Sequence, residues 1–266
     1  RANLYFFQGR LFDCIDELRR ALRLLGFNIP DTDEELDRAI QDGLREIREF
    51  TARSPVEEIV DLPSMIDREK NMAMQLFYQL DPPALHVSPK LFTLSVVTMF
   101  NLTLRYGVTP LSCKAISDSG IIFGQALSDY KTGYRLGEVA FALLDRFNAE
   151  SQKAPVYFII PFLSHWVKHY REALDYFDLS YKAGIETGDL MHATYALATK
   201  AFYLTWVGKN LDECREKTEE YIAFIRQAKP SAPLLLCEMA LHFIEKLKAV
   251  PKHGELADFE ERDRAI

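Results

Sequence analysis

Apolar residues recur along this chain at three- and four-residue steps and almost never at alternate positions, so the pattern predicts helices and no sheet. Leu11, Ile15, Leu18, Leu22 and Leu25 form a stripe over residues 10–25, with Arg and Asp opposite, before Gly26 and Pro30 stop the helix. Thr32 and Glu35 make a capping box that opens a helix with Leu36, Ile40, Leu44, Ile47 and Phe50 on one face. Ser54-Pro55-Val56-Glu57 predicts a short helix with Pro in its first turn. Residues 67–80 bring Met72, Leu76 and Leu80 together, and Asp81-Pro82-Pro83 predicts the end of that element. Ser88-Pro89 and Thr109-Pro110 each pair a cap with a first-turn Pro, giving helices at 89–106 and 111–127. Helices follow at 130–147, 153–167, 170–184, 189–207, 211–228 and 232–249, with Asn210 and Glu213 as another capping box. His253 to Ile266 reads as a partial helix or a frayed end.

A forty-residue echo runs through these elements. Phe162 and Trp166 recur as Phe202 and Trp206, Tyr130 as Tyr170, and Ala140 as Ser180. Gly9 and Ala21 stand 119 residues before Ser128 and Ala140, close to a whole number of such periods. A fixed period of this length marks stacked helical hairpins, none of which can bury its apolar face alone. The predicted fold is therefore all-α: an α-solenoid of antiparallel helical hairpins. Its parts are a truncated repeat and following helix (1–52), an irregular segment or degenerate repeat (53–110), regular hairpins (111–250) and a polar tail (251–266). Gly120 and Gly124, like Gly133 and Gly137, lie four apart inside helical patterns, which predicts close approach of a neighbouring backbone, with a flexible hinge as the alternative.

The order of small, aromatic and bulky residues in these units resembles the tetratricopeptide (TPR) grammar. Ser128-Asp129-Tyr130, Gly133, Gly137 and Ala140 resemble the second half of one unit, and Lys168-His169-Tyr170, Ala173, Phe177 and Ser180 that of the next. Gly9, Cys14, Leu18 and Ala21 resemble a truncated first unit, and Gly208, Cys214 and Thr218 a looser last one. The period is nearer 40 than the usual TPR length, so longer helices or turns are implied. Several strings, among them Gly9 to Asp16, Leu22 to Pro30, Ser128 to Arg146 and Ala183 to Asp189, resemble the helical region of very large bacterial and fungal signalling proteins. In that family a Ser/Thr-kinase-like domain and a STAND/AAA-type ATPase precede the repeats, and GAF and histidine-kinase modules often follow. The resemblance implies a signalling parent and does not name what this segment binds.

Composition narrows the function. With 48% hydrophobic and 27% charged residues the chain is too apolar for disorder. A net charge of −7, with Lys and Arg scattered among acids, argues against nucleic acid. No run of apolar residues is long enough to predict a membrane span, and Leu91 to Leu104 is interrupted by Thr93, Ser95, Thr98, Asn101 and Thr103. Cys14, Cys113, Cys214 and Cys237 are far apart and form no metal or redox pair, so free thiols in a reducing, cytoplasmic setting are expected. Arg1 in place of an initiator Met suggests a piece of a longer protein. The string Asn3 to Gly9 resembles a protease-tag scar, but its second Phe breaks that spacing and it is read as native.

Catalytic signals are missing from the sequence. There is no phosphate-binding P-loop, no G-x-S-x-G elbow, and none of the six His residues is followed by Glu. His165 and His169 could ligate a metal from one helix face, but lack the Glu of a zinc hydrolase. Asp189-Leu190-Met191-His192 could mimic a carboxylate–His pair, yet Asp189 reads more simply as a helix cap. No enzyme, cofactor or metal site is expected. The candidate site is a groove: Phe162, His165, Trp166, Phe202, Thr205 and Trp206, on helices that would line the concave face of a TPR-like array. The rival reading makes these aromatics inter-repeat core. The expected function is protein–protein or interdomain contact and signal relay, with self-association possible. The alternative is an effector-binding sensor whose pocket would use the same aromatics with Tyr203 and His165.

Overall fold

A computed structural model of the chain describes residues 2–228 and 231–249, and every regular element among them is helical. The predicted polar tail lies outside the described residues. The chain divides into two compact units, Arg1–His169 and Tyr170–Ile266.

The first unit holds α1 (Ala2–Phe7), α2 (Leu11–Leu24), α3 (Asp33–Arg53), α4 (Arg68–Val87), α5 (Pro89–Tyr106), α6 (Ser112–Ile121), α7 (Tyr130–Phe147) and α8 (Glu150–Ser164). The stripes predicted for α2 and α3 are the buried ones: Ile15, Leu18 and Leu22, then Leu36, Ile40, Leu44 and Ile47. Thr32 accepts a hydrogen bond from the Glu35 amide and Ser88 from the Leu91 amide, as their spacing predicts. From there α4 packs on α2 and α5, α3 on α5, α5 on α6, and α6 on both α7 and α8.

Several boundaries differ from expectation. Asp81-Pro82-Pro83 does not end its helix; α4 runs on to Val87. Proline's fixed φ suits a helix, and burial of the apolar Pro83 and Ala84 helps offset the lost backbone bonds. The inward face of α4 is Ala73, Met74, Phe77 and Leu80, while Met72 is 48% exposed. Ser54-Pro55 opens a 3₁₀ turn, Val56–Asp61, with Pro55 just outside it. The span 111–127 is divided into α6 and a π turn, Ile122–Ala126. An unpredicted α1 occupies the tag-like string and packs on α2.

Gly120 and Gly133 explain how α6 and α7 meet. A Cβ on Gly133 would lie 2.6 Å from the Gly120 carbonyl oxygen, and one on Gly120 would lie 2.7 Å from that of Gly133. The glycines are where two backbones touch, as predicted, and the helix-propensity cost is offset by that contact. Gly107 has a different role: with φ at +103° it turns the chain after α5 so that the Val108 amide donates to the Pro63 carbonyl at 2.9 Å.

In the second unit, α9 (Arg171–Thr187) packs on α10 (Leu190–Trp206), and α11 (Leu211–Ala228) on α12 (Ser231–Lys248). Helix α10 also packs on α11 and on α12. The core of this unit is Leu197, Ala198, Ala201, Ile222, Ile225, Cys237 and Ala240. Asp189 accepts the His192 amide and Asn210 accepts the Asp212 amide, which fixes where α10 and α11 begin. All four cysteines are free and buried.

Candidate functional site

Helix α8 ends at Ser164, so His165 and Trp166 lie in the turn beyond it. The pairing of His165 with His169 on one helix face, which their spacing allowed, is thereby lost. No cluster of three or more His, Cys, Asp or Glu able to hold a metal occurs among the described residues. Trp166 is 52% exposed and stacks on Tyr130 with ring centroids 4.7 Å apart and planes at 28°. Gly124 lies against that Tyr130 ring: a Cβ there would sit 3.5 Å from Cδ1, an ordinary contact distance. Tyr130, at the start of α7, is thus the ring on which Trp166 rests. The His165 ring is 4.9 Å from Trp166, and burial holds its imidazole below the usual histidine range, which favours the neutral form. Phe162 is half-buried and meets Phe158 edge-on at 5.4 Å.

The second unit repeats the contact forty residues on. Tyr170, just before α9, meets Trp206 at the end of α10, with centroids 6.1 Å apart and planes at 79°. Trp206 is 54% exposed and also lies 5.0 Å from Tyr203. Tyr203 itself is core: 1% exposed and edge-on to Phe177 at 4.9 Å. Tyr203, which the alternative sensor reading groups with the groove aromatics, is thus a packed core residue. Phe202 is half-buried, between Trp206 at 6.1 Å and Phe243 of α12 at 6.4 Å. The Thr205 hydroxyl donates to the Phe202 carbonyl at 2.7 Å within its own helix. Both tryptophans are half-exposed and neither belongs to the core, while both phenylalanines are shared between surface and packing.

Sequence reading placed α12 at 232–249 but missed the apolar stripe on its exposed side. Leu235, Met239, Phe243 and Leu247, four residues apart, are 60%, 54%, 39% and 38% exposed. They form an apolar stripe opposite the buried Cys237, Ala240 and Ile244, so the helix is apolar on both sides. Extending the echo would have found the outer half, since Phe202 leads to Phe243 and Trp206 to Leu247 at 41 residues. Most charges of α12 turn toward α11 instead: Glu238 to Arg226 at 2.9 Å, Lys248 to Asp212 at 2.6 Å and Glu245 to Arg215 at 3.8 Å. The outward residues of α10 (Met191, Tyr195, Thr199, Phe202, Thr205 and Trp206) carry no charge.

A cleft of 560 Å³ in the same unit has the opposite character. Its lining includes Asp178, Lys200, Lys209, Glu213, Lys217 and Tyr221. Lys200, only 9% exposed, is ion-paired to Asp178 there. None of the six groove residues contributes to it.

Asp189 combines two roles that the sequence posed as alternatives. It caps α10 and also contacts His192, Oδ2 to Nδ1 at 2.7 Å. Burial raises its carboxyl, but the bonds from His192 outweigh this and hold it below the usual carboxylate range.

No helix among the described residues is long and apolar enough to cross a membrane. No family model matches the chain, and no curated protein matches it at a meaningful level of similarity.

Proposed function

We propose that this chain is a non-catalytic recognition and relay module, a TPR-like α-solenoid that binds protein segments or neighbouring domains of a signalling parent in the cytoplasm. The observation that carries the reading is the half-exposed tryptophan each unit holds against a tyrosine, which in the second unit continues into the uncharged face of α10 and α12. Aromatic anchors on rigid helices, with charge turned aside, are what helix- and peptide-binding grooves use. Support for stacked hairpins comes from α6 packing on α7 and α8, and from α10 packing on α9, α11 and α12. The forty-residue Tyr–Trp echo and the resemblance to repeat regions of kinase- and ATPase-bearing proteins point the same way. Trp166→Ala and Trp206→Ala, alone and together in the full-length parent, are expected to keep helical circular dichroism and to weaken binding of its partner domains at least tenfold. Unchanged binding and unchanged parent activity in the double variant would remove the reading.

A sensor role is the second reading, and the 560 Å³ cleft favours it by size. Its lining is ionic rather than aromatic, so a charged effector would be required. Lys200→Ala would then abolish the effector's response while Trp206→Ala would spare it.

A further inference from the structure

The core of the first unit holds three charged side chains that the recognition surface does not use. Lys114 of α6, with 8% exposure, places its ammonium 3.2 Å from Oδ2 of Asp81 on α4 and also bonds Asp118 one turn along its own helix. Both carboxylates are 2% exposed. One ammonium thus serves two carboxylates, leaving a net charge of −1 where water does not reach. Around it stand rings: Tyr78 and Phe92 have centroids 5.9 Å and 5.8 Å from the ammonium. The other oxygen of Asp81, Oδ1, has no hydrogen-bond partner. The Ser95 hydroxyl of α5 gives its proton to the Phe77 carbonyl at 3.0 Å. Gln152 of α8 donates to Tyr78 at 3.5 Å. Helix α2, also packed on α4, turns Ile15, Leu18, Leu22 and the thiol of Cys14 inward, and burial raises that thiol.

An ionised carboxylate with a buried, unbonded oxygen is costly, and the cost disappears when it binds a proton. The site also sits at a weak point of α4. Pro82 and Pro83 follow Asp81 directly, so the helix there lacks two backbone donors and depends on cross-links from its neighbours. We infer that Asp81 is a proton-responsive joint: on mild acidification its carboxylate takes up a proton, the net buried charge is neutralised, and the first unit becomes more stable. Burial, opposed by Lys114 and the neighbouring Ser95 hydroxyl and reinforced by Asp118, pushes Asp81 up to about 6. Lys114 itself is raised despite burial by Asp118 and Asp81 and stays charged.

The sign follows from linkage. A carboxyl that titrates higher in the folded chain than in the unfolded one makes folding more favourable as pH falls between those values. Between pH 7.5 and 5.0 this one site should raise the folding equilibrium constant of its unit about tenfold. Urea unfolding of the whole chain, read by pulsed hydrogen exchange at α4 and α6, measures this in the native protein and in Asp81→Asn. The native protein should gain the extra tenfold on acidification; Asp81→Asn should lack it and be at least as stable at pH 7.5. A carbon-13 titration of the Asp81 carboxyl supplies the independent reading and does not depend on the variant folding. Parallel pH slopes, an Asp81→Asn chain weaker at pH 7.5, or a carboxyl that titrates at the ordinary aspartate value would overturn the inference. A midpoint that shifts with potassium or sodium concentration would also overturn it, since a cation and not a proton would then neutralise the site.

Discussion

Gly133 has no space for a methyl group, because the atom in the way is the Gly120 carbonyl oxygen, 2.6 Å from where a Cβ would stand. Backbone cannot swing aside as a side chain can, so Gly133→Ala should destabilise the first unit by about 2 kcal/mol despite alanine's better helix propensity. Denaturant unfolding checks the value, and a neutral or stabilised variant would contradict the contact. At this scale the glycines were legible because four-residue spacing puts each pair on one helix face, where a close neighbour offsets their cost. The tryptophans were legible as a repeated pair, but their exposure was not, since aromatics at helical spacing read equally well as core. Lys114 and Asp118 drew no attention in the sequence. Their i,i+4 spacing is that of an ordinary solvated pair, and only the fold brings Asp81, 33 residues away, to the same ammonium.

Helices were found more reliably than their ends. Caps that use a side chain, such as Thr32, Ser88, Asp189 and Asn210, appear where the sequence put them. Prolines were the weaker guide: Pro82, Pro83, Pro155 and Pro161 all sit inside helices, where packing of a largely apolar element overrides the lost donors. Asp189 carries a prediction proper to its element. Its carboxyl is depressed in the folded chain, so its contribution is present above the ordinary carboxylate pKa and is lost as pH falls through the folded value. This is the reverse of Asp81. Asp189→Ala should cost about 1 kcal/mol at pH 7 and little at pH 2, with the loss confined to α10. Site-resolved hydrogen exchange at the first turn of α10 measures it, and equal losses at both pH values would leave the carboxylate without a role.

At the scale of the molecule, the all-helical class was open to sequence reasoning because period and caps agreed along the chain. The proposed recognition surface was only half visible. Phe202 and Trp206 were found through the forty-residue echo, whereas Leu235 and Met239 lie on a helix whose buried and exposed faces are both apolar, so periodicity could not separate them. The asymmetry between helices is the more informative sign: α11 carries a dense set of Asp, Glu, Lys and Arg, while the outward face of α10 has none. An uncharged, partly aromatic face flanked by charged ones is the property the recognition account rests on. The direct test places a photo-crosslinking residue at Met239, and separately at Glu216 on α11, in the full-length parent. Crosslinking of one defined protein segment from position 239, absent from position 216 and abolished by Trp206→Ala, is the predicted result; equal crosslinking from both positions, or none from 239, would contradict it.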